Sequence, residues 1–366
     1  MKKFKVIIFG TGSSSEKISK IMNDERCEII AYSDNNKEKQ GTYFQQRYVY
    51  APQQLSQLTF DYIVIGSIYF KEIYDQLRQL QISAHKIINI YEYIRYQDVK
   101  LKLQQLDTIN DPEIMITGMS YARYGFDQQV LALPSVNVSF NSQDIFYDLC
   151  MAQIVLNKFS SIRYAFIGLA YYDFQFDLSL SKEKHLVNRY QIISHMQKEV
   201  DVKKYEQHIL PHYEEQLFNV SDEILSLFVD DFIEKFDHLE QSIINRRNLD
   251  EAREQLAITH SSKNYPNTVQ QNIRLMERYL KLLQAHNIMP IIVIHPQEYA
   301  YRKGFYSEMI EQFNKIIEKL SQQYTFQLID LYDHPTFSDE DFYDVHHLNS
   351  QGAKKVSEIV NGYIER

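Results

Sequence analysis

The sequence predicts an α/β chain of two domains, each built around a parallel sheet. Three observations carry this reading. Short apolar runs alternate with amphipathic stretches along most of the chain, the pattern of strand–helix–strand units. The runs of the larger domain are nearly continuous in apolar residues, as expected when helices cover both faces of a sheet. Finally, 366 residues exceed the roughly 150 of a usual domain, and Asn110-Asp111-Pro112 interrupts a polar, Gln-rich stretch, since proline disfavours helix in the residue before it.

Residues 1–95 supply the first domain. Strand Phe4–Phe9 leads into Gly10-Thr11-Gly12-Ser13-Ser14-Ser15 and a helix to Met22. Strand Glu28–Tyr32 ends in the turn cluster Ser33-Asp34-Asn35-Asn36. A short strand near Tyr48–Tyr50, a helix from Pro52, strand Tyr62–Gly66, a helix Phe70–Leu80 and strand Lys86–Ile90 complete it. Length and order are those of one mononucleotide-binding half of a Rossmann-like sheet. At the first turn, Gly10, Gly12 and Ser13 would let backbone N–H groups approach an anion at a helix N-terminus. Asp34 stands 22 residues after Gly12, near the offset at which a carboxylate meets a ribose diol. A nucleotide or nucleotide-sugar is the ligand such a site would take. Ser15 replaces the third glycine of the fingerprint, so a turn that needs its glycines only for geometry is the competing reading. The order also resembles the small N-terminal domains of bacterial polysaccharide- and sugar-modifying proteins, including the nucleotide-sugar-binding domain of sialic-acid-type acetyltransferases.

Residues 96–111 read as a linker helix and residues 112–366 as the second domain. Its strands are Glu113–Thr117, Ser135–Phe140, Tyr164–Ala170, Met289–Pro296 and Phe326–Asp330. Asn141-Ser142-Gln143-Asp144 is a cap-type cluster before a helix from Ile145 to about Lys158. Three further helices show one apolar face each: Val269, Ile273, Met276, Leu280 and Leu283; Phe305, Met309, Phe313, Ile316 and Leu320; Ala353, Val356, Ile359, Val360 and Tyr363. A three-layer α/β/α sandwich follows. Residues 173–266 lack strand signals and read as a helical insertion, with Ile224, Leu225, Phe228, Phe232, Ile233 and Phe236 on one amphipathic helix. A lid, a solvated elaboration and an oligomer surface are the readings open to it.

Composition narrows the function. A net charge of −9 argues against general nucleic-acid binding, which rests on clustered Lys and Arg. The two cysteines, Cys27 and Cys150, lie in separate elements without metal-type spacing, which fits free thiols in a reducing, cytoplasmic setting. The apolar start is interrupted by Gly-Thr-Gly where a signal peptide would continue. No window approaches the roughly 18 apolar residues of a membrane span.

The chemistry concentrates in two places. Ile114-Met115-Ile116-Thr117-Gly118-Met119-Ser120 runs an apolar strand into a turn, and Asp344-Val345-His346-His347-Leu348-Asn349 precedes the last helix. A serine hydroxyl is a weak nucleophile unless a base takes its proton, and the base works best when a carboxylate fixes its tautomer. Ser120 follows the first strand of this domain and the Asp344–His347 loop the fifth, so both fall at the carboxyl edge where ligands gather. The bland alternatives are a chance Gly-x-Ser and an aspartate that caps the final helix. His346 competes with His347 as the imidazole; the spacing from Asp344 favours His347. His295 ends the fourth strand and could line the pocket or stabilise the turn at Pro296.

Gly-x-Ser followed near the end by Asp-x-x-His-Leu-Asn-x-x-Gly resembles the SGNH/GDSL hydrolases and acyltransferases. Within them the layout is most similar to the D-alanyl transfer proteins of teichoic acid operons and to polysaccharide O-acyl modification proteins. The resemblance covers residues 113–366 apart from the insertion. It implies a flavodoxin-like sandwich, Ser120 as nucleophile, His347 as base and Asp344 as orienting acid, with no cofactor. It further implies an O-acyl esterase or acyltransferase on a small acylated substrate or glycan precursor. Two departures stand out. The usual Gly-Asp-Ser is Gly118-Met119-Ser120, and the asparagine of the Gly-x-Asn-Asp block is absent from Gly168-Leu169-Ala170-Tyr171-Tyr172-Asp173. Oxyanion donors would then be the Ser120 N–H with groups near Ser142 and Gln143, or a Tyr171 or Tyr172 hydroxyl. A weakly catalytic or non-catalytic assembly protein, and a nucleotide-sugar-binding regulator, are the alternatives. A metal site among Asp330, Asp333, His334, Asp339, Asp341 and Asp344 lacks EF-hand spacing and reads as a solvated acidic loop. Pro211 interrupts the helical spacing of His208 and His212. No metal is expected.

Overall fold

The computed structural model describes residues 3–199, 220–242 and 249–364. The fold is mixed α/β with parallel sheets. The chain divides into two compact units, Met1–Leu101 with Glu183–Ile243, and Lys102–Lys182 with Ile244–Arg366. Most of the stretch expected as an insertion in the second domain therefore groups with the first. Among the described residues no helix is long and apolar enough to cross a membrane.

In the first unit a six-stranded sheet holds β1 (Phe4–Phe9), β2 (Cys27–Ser33), β3 (Tyr43–Phe44), β4 (Arg47–Tyr50), β5 (Tyr62–Ile65) and β6 (Ile87–Ile88) in the order β3-β4-β2-β1-β5-β6. All pairs are parallel except β3 with β4. Helix α1 (Ser13–Ile21) follows β1, α2 (Phe70–Gln79) follows β5, and α3 (Ile90–Gln105) follows β6. Ile7, Phe9, Ala31, Ile63, Ile65, Phe70, Ile73 and Leu77 form one core cluster.

Three expectations are corrected here. The last strand stops at Ile88, because the Asn89 side chain accepts the Glu92 N–H at 3.1 Å and starts α3 at once. The helix expected over 96–111 accordingly begins at Ile90. The single helix expected around Phe228 is two, Asp222–Leu225 and Phe232–Ser242. Between them the backbone pairs with the end of α1 instead: Asn23 N–H donates to Leu227 O at 2.8 Å and Val229 N–H to Ile21 O at 2.9 Å.

In the second unit β7 (Ile114–Gly118), β8 (Ser135–Asn137), β9 (Tyr164–Leu169), β10 (Met289–Ile294) and β11 (Gln327–Asp330) form an all-parallel sheet in the order β11-β10-β9-β7-β8. Its helices are α4 (Ser120–Gly125), α5 (Ile145–Lys158), α6 (Leu249–Ser261), α7 (Pro266–Ala285), α8 (Tyr299–Gly304), α9 (Ser307–Ser321) and α10 (Ser350–Val360). Successive strand side chains point to opposite faces. Ile114, Ile116, Phe166, Ile291 and Val293 pack with Val356 and Val360 of α10, whereas Thr117 points the other way and hydrogen-bonds Tyr279 of α7 at 2.9 Å. Both faces are thus covered, which explains the unbroken apolar runs. β8 is shorter than expected, because the Asn137 side chain takes the Ser139 N–H at 3.0 Å in place of a ladder partner. Tyr363, assigned to the buried face of the last helix, is 43% exposed. Cys27 and Cys150 are buried free thiols.

Candidate active site

The turn after β7 is dictated by close approach. Gly118 has φ +133°, and a Cβ there would overlap the carbonyl oxygen of Gly168, its partner on β9. Only glycine tolerates both conditions. The chain then passes through extended Met119 into α4, whose first residue is Ser120.

The second half comes from the loop between β11 and α10. Phe342 and Leu348 pair as an isolated antiparallel bridge, and Tyr343 N–H donates to His347 O at 3.0 Å. Within this hairpin Asp344 Oδ1 accepts the N–H groups of His346 and His347 at 2.9 and 2.7 Å. Its Oδ2 faces His347 Nδ1 at 2.6 Å, and His347 Nε2 lies 2.8 Å from Ser120 Oγ. A continuous hydrogen-bonded chain therefore joins Ser120, His347 and Asp344. The cap of α10 is Asn349, whose Oδ1 accepts the N–H groups of Gln351 and Gly352, so Asp344 is not that helix's cap.

Electrostatics favour an ionised Asp344. Burial pushes its carboxyl upward, but the hydrogen bond from His347 and the nearby imidazoles outweigh it and hold the pKa at about 2. His346 packs its ring 3.8 Å from that of His347 and touches Tyr121 and His260. Burial, then the neighbouring His347, lowers its pKa to about 3. It is thus a neutral neighbour of the chain, with no hydrogen-bond partner for its Nδ1. Tyr343 stacks on His347 at 17° between planes, and Tyr124 meets it edge-on.

The residues considered as oxyanion donors are placed less uniformly. Gln143 Nε2 donates to Val138 O and to Asp148 Oδ1, and Tyr171 donates to Asp330 Oδ2 at 2.6 Å. Tyr172 donates to Met119 Sδ at 3.3 Å, with its ring on His260 and Lys263 Nζ 4.1 Å from its centre. Ser142 sits at φ +54° in the turn before α5. His295 is 2% exposed, lies against Gly125 and Gly168, and meets Phe126 edge-on. Burial lowers its pKa to about 3, and neither ring nitrogen has a partner.

The acidic run is dispersed. Asp330 serves Tyr171, Asp333 pairs with Arg302, and Asp341 pairs with Lys355. Among the described residues the group with metal-ligand spacing is Asp344, His346 and His347, where Asp344 and His347 already bond each other. His208 and His212 lie outside the described residues. Sequence reasoning missed Tyr121, His260 and Tyr301 around the site. No spacing rule reaches them, since His260 arrives from the far end of the expected insertion and bonds Tyr301 at 2.8 Å.

In the first unit the turn after β1 brings Gly10, Gly12, Ser13 and Asp34 to one sheet edge. Gly10 has φ +113°, and Gly12 is the N-cap of α1. Ser15, at the third glycine's position, donates to Gly66 O at 2.9 Å. Asp34 accepts the Thr11 hydroxyl at 2.5 Å and the Asn36 N–H at 2.8 Å. The carboxylate is therefore already engaged.

Comparison with known proteins adds little beyond this geometry. Residues 2–88 match a family model described as C2185-like, N-terminal, and a second family model matches residues 228–366. No curated protein matches the chain. A solved structure from Streptococcus pneumonia, described as a platelet activating factor, is similar at a TM-score of 0.39 and 11% identity, over 74% of this chain and 92% of its own. A likeness of that degree carries no argument about fold or chemistry.

Proposed function

We propose that the second unit is an SGNH-type, flavodoxin-like domain and a serine-dependent O-acyl esterase or acyltransferase. The observation that carries this is the hydrogen-bonded chain Ser120–His347–Asp344, whose serine and imidazole lie 227 residues apart in sequence. In this reading His347 Nε2 takes the Ser120 proton as Oγ bonds to the ester carbonyl carbon. The oxyanion that forms is met by the Ser120 N–H. His347 then returns the proton to the departing alkoxide as the carbon–oxygen bond breaks, leaving the acyl group on Ser120. Water or a sugar hydroxyl attacks next, gives its proton to His347, and the Ser120 oxygen leaves and recovers it. Asp344, ionised, keeps the proton on Nδ1 and stabilises the imidazolium.

The proposed substrate, a bacterial surface-glycan or teichoic-acid precursor met in the cytoplasm, rests on the sequence resemblance alone. The Rossmann-like first unit would take a nucleotide or nucleotide-sugar at Gly10, Gly12 and Ser13. A second reading, a weakly catalytic or non-catalytic assembly protein of a polysaccharide locus, is favoured by one observation: Gln143 and Tyr171 are bonded elsewhere. Loss of one oxyanion donor costs about 10²–10³ in rate. Initial rates of p-nitrophenyl acetate hydrolysis decide between the two. Turnover that disappears in both Ser120→Ala and His347→Ala supports the esterase, and turnover that persists in either removes it.

A further inference from the structure

The triad's own hairpin gathers ligand atoms of the kind that hold a transition metal. One atom each from Asp344, His346 and His347 lies within 4.8 Å of the other two. Asp344 is the shared corner: its Oδ2 is 2.6 Å from His347 Nδ1, and its Oδ1 is 3.9 Å from His346 Nδ1. Zinc bonds of about 2.0–2.2 Å set tetrahedral ligand atoms about 3.4 Å apart, so one gap must open and the other close by less than about 1 Å. His346 Nδ1 is buried without a hydrogen-bond partner, a condition that native structures almost always relieve. The surrounding bonds already suit a ligand set. Asp344 Oδ1 is fixed by two backbone N–H groups and His347 Nε2 by Ser120 Oγ, the outer contacts that orient metal ligands. The side chains of Asp344, His346 and His347 are 11%, 17% and 13% exposed, which lets an ion enter and leaves the fourth position to water.

The donor set chooses the ion. Two imidazoles with one carboxylate suit Zn²⁺, whereas Mg²⁺ and Ca²⁺ want oxygen ligands throughout. Binding also changes which nitrogen of His347 carries its proton. The ion needs the Nδ1 lone pair, so the proton held toward Asp344 leaves Nδ1 while Nε2 takes one up, and the ring's proton count is unchanged. Nε2–H then donates to Ser120 Oγ instead of accepting its proton, and the serine loses its base. Resting on the esterase reading for its effect, we propose that Asp344, His346 and His347 form a zinc site whose occupation switches the triad off.

The test uses the full chain, freed of metal with a chelator that is then removed. Calorimetry with Zn²⁺ is expected to show one ion bound per chain, with no binding of Mg²⁺ or Ca²⁺ at the same concentrations. His346→Gln and His346→Phe each weaken zinc binding by about tenfold or more. X-ray absorption of the zinc-loaded wild type, which needs no variant, shows two imidazole nitrogens on the ion. Zinc also lowers the Ser120-dependent rate on p-nitrophenyl acetate by about tenfold or more, corrected for hydrolysis by zinc in buffer, and a chelator restores it. The zinc concentration that halves the rate rises in His346→Gln by the same factor as the binding constant. No zinc binding, binding unmoved in both His346 variants, or absorption without two imidazoles overturns the site. Ser120-dependent turnover that excess zinc leaves unchanged overturns the switch while leaving the esterase intact. Zinc binding that depends on His346, in a chain that turns over no ester, upholds the site and sinks the esterase reading.

Discussion

The two units contain the same local device with different partners. β1 runs into Gly10 and β7 ends at Gly118, both glycines are at positive φ, and a helix follows each. Each glycine approaches the carbonyl of a glycine beyond or within the neighbouring strand, Gly66 after β5 and Gly168 on β9. In the first unit Ser15 fills the space under the turn and bonds Gly66, while Thr11 occupies Asp34. In the second, Ala122 takes the corresponding packing position and Ser120 is left to meet His347. A glycine turn at a sheet edge therefore provides a location; the side chains delivered to it decide whether nucleophilic chemistry is available there.

The comparison can be broken most directly at the imidazole. His347→Ala is expected to lower kcat for ester turnover by about 10⁴-fold or more, whereas Thr11→Ala in the first turn leaves it within about twofold. Equal losses in the two would show that the second turn has no special role. Asp344→Asn should follow His347→Ala closely, by about 10⁴-fold, because the amide no longer fixes the imidazole tautomer.

Stability separates the turns next. Gly118→Ala forces a Cβ onto the Gly168 carbonyl at a φ that side chains avoid, and should destabilise by about 3 kcal/mol. Gly10→Ala meets Gly66 O at 2.9 Å and the Ser15 hydroxyl at 2.7 Å, and should cost less, about 2 kcal/mol. Denaturant midpoints followed by hydrogen exchange in peptides from β7 and β1 read each effect in its own unit. The reverse ranking would show that the second turn is the looser one.

Acid sharpens the contrast further. His295 and His346 have folded pKa values near 3 against about 6.5 in an unfolded chain. The unfolded state thus binds more protons between those limits, so their contribution is fully present above about pH 6.5 and declines as pH falls toward 3. Exchange protection of β7, β9 and β10 should weaken over that window, and His295→Phe should flatten the dependence. The smallest effect is at Thr11: Thr11→Val removes the hydroxyl held by Asp34 and should cost about 1 kcal/mol. If residues 1–95 bind a nucleotide-sugar, that variant should also change its calorimetric affinity.

How much of this was legible depends on the kind of interaction. Continuous apolar runs such as Tyr164–Leu169 and Met289–Ile294 mark buried parallel strands, because both faces must be covered. Gly-x-Ser after one strand and Asp-x-x-His before the last helix place side chains at one edge by periodicity alone. The hairpin β3–β4 was not readable, since its turn puts Gln45 and Gln46 at positive φ without the Asn or Gly that normally signals it. Nor was the interruption between the helices at 222–225 and 232–242, where pairing with the end of α1 outweighs an amphipathic pattern. The engagement of Tyr171 by Asp330, 159 residues away, and the stacking of His346 on His347 depend on tertiary placement that no local pattern encodes.

Labelling of the intact protein with a fluorophosphonate probe tests the central claim most directly, because the probe reports an activated serine and requires no knowledge of the substrate. The expected result is one adduct mapped to Ser120, abolished in Ser120→Ala and strongly reduced in His347→Ala. An unlabelled wild type, or undiminished labelling of Ser120→Ala, would contradict it.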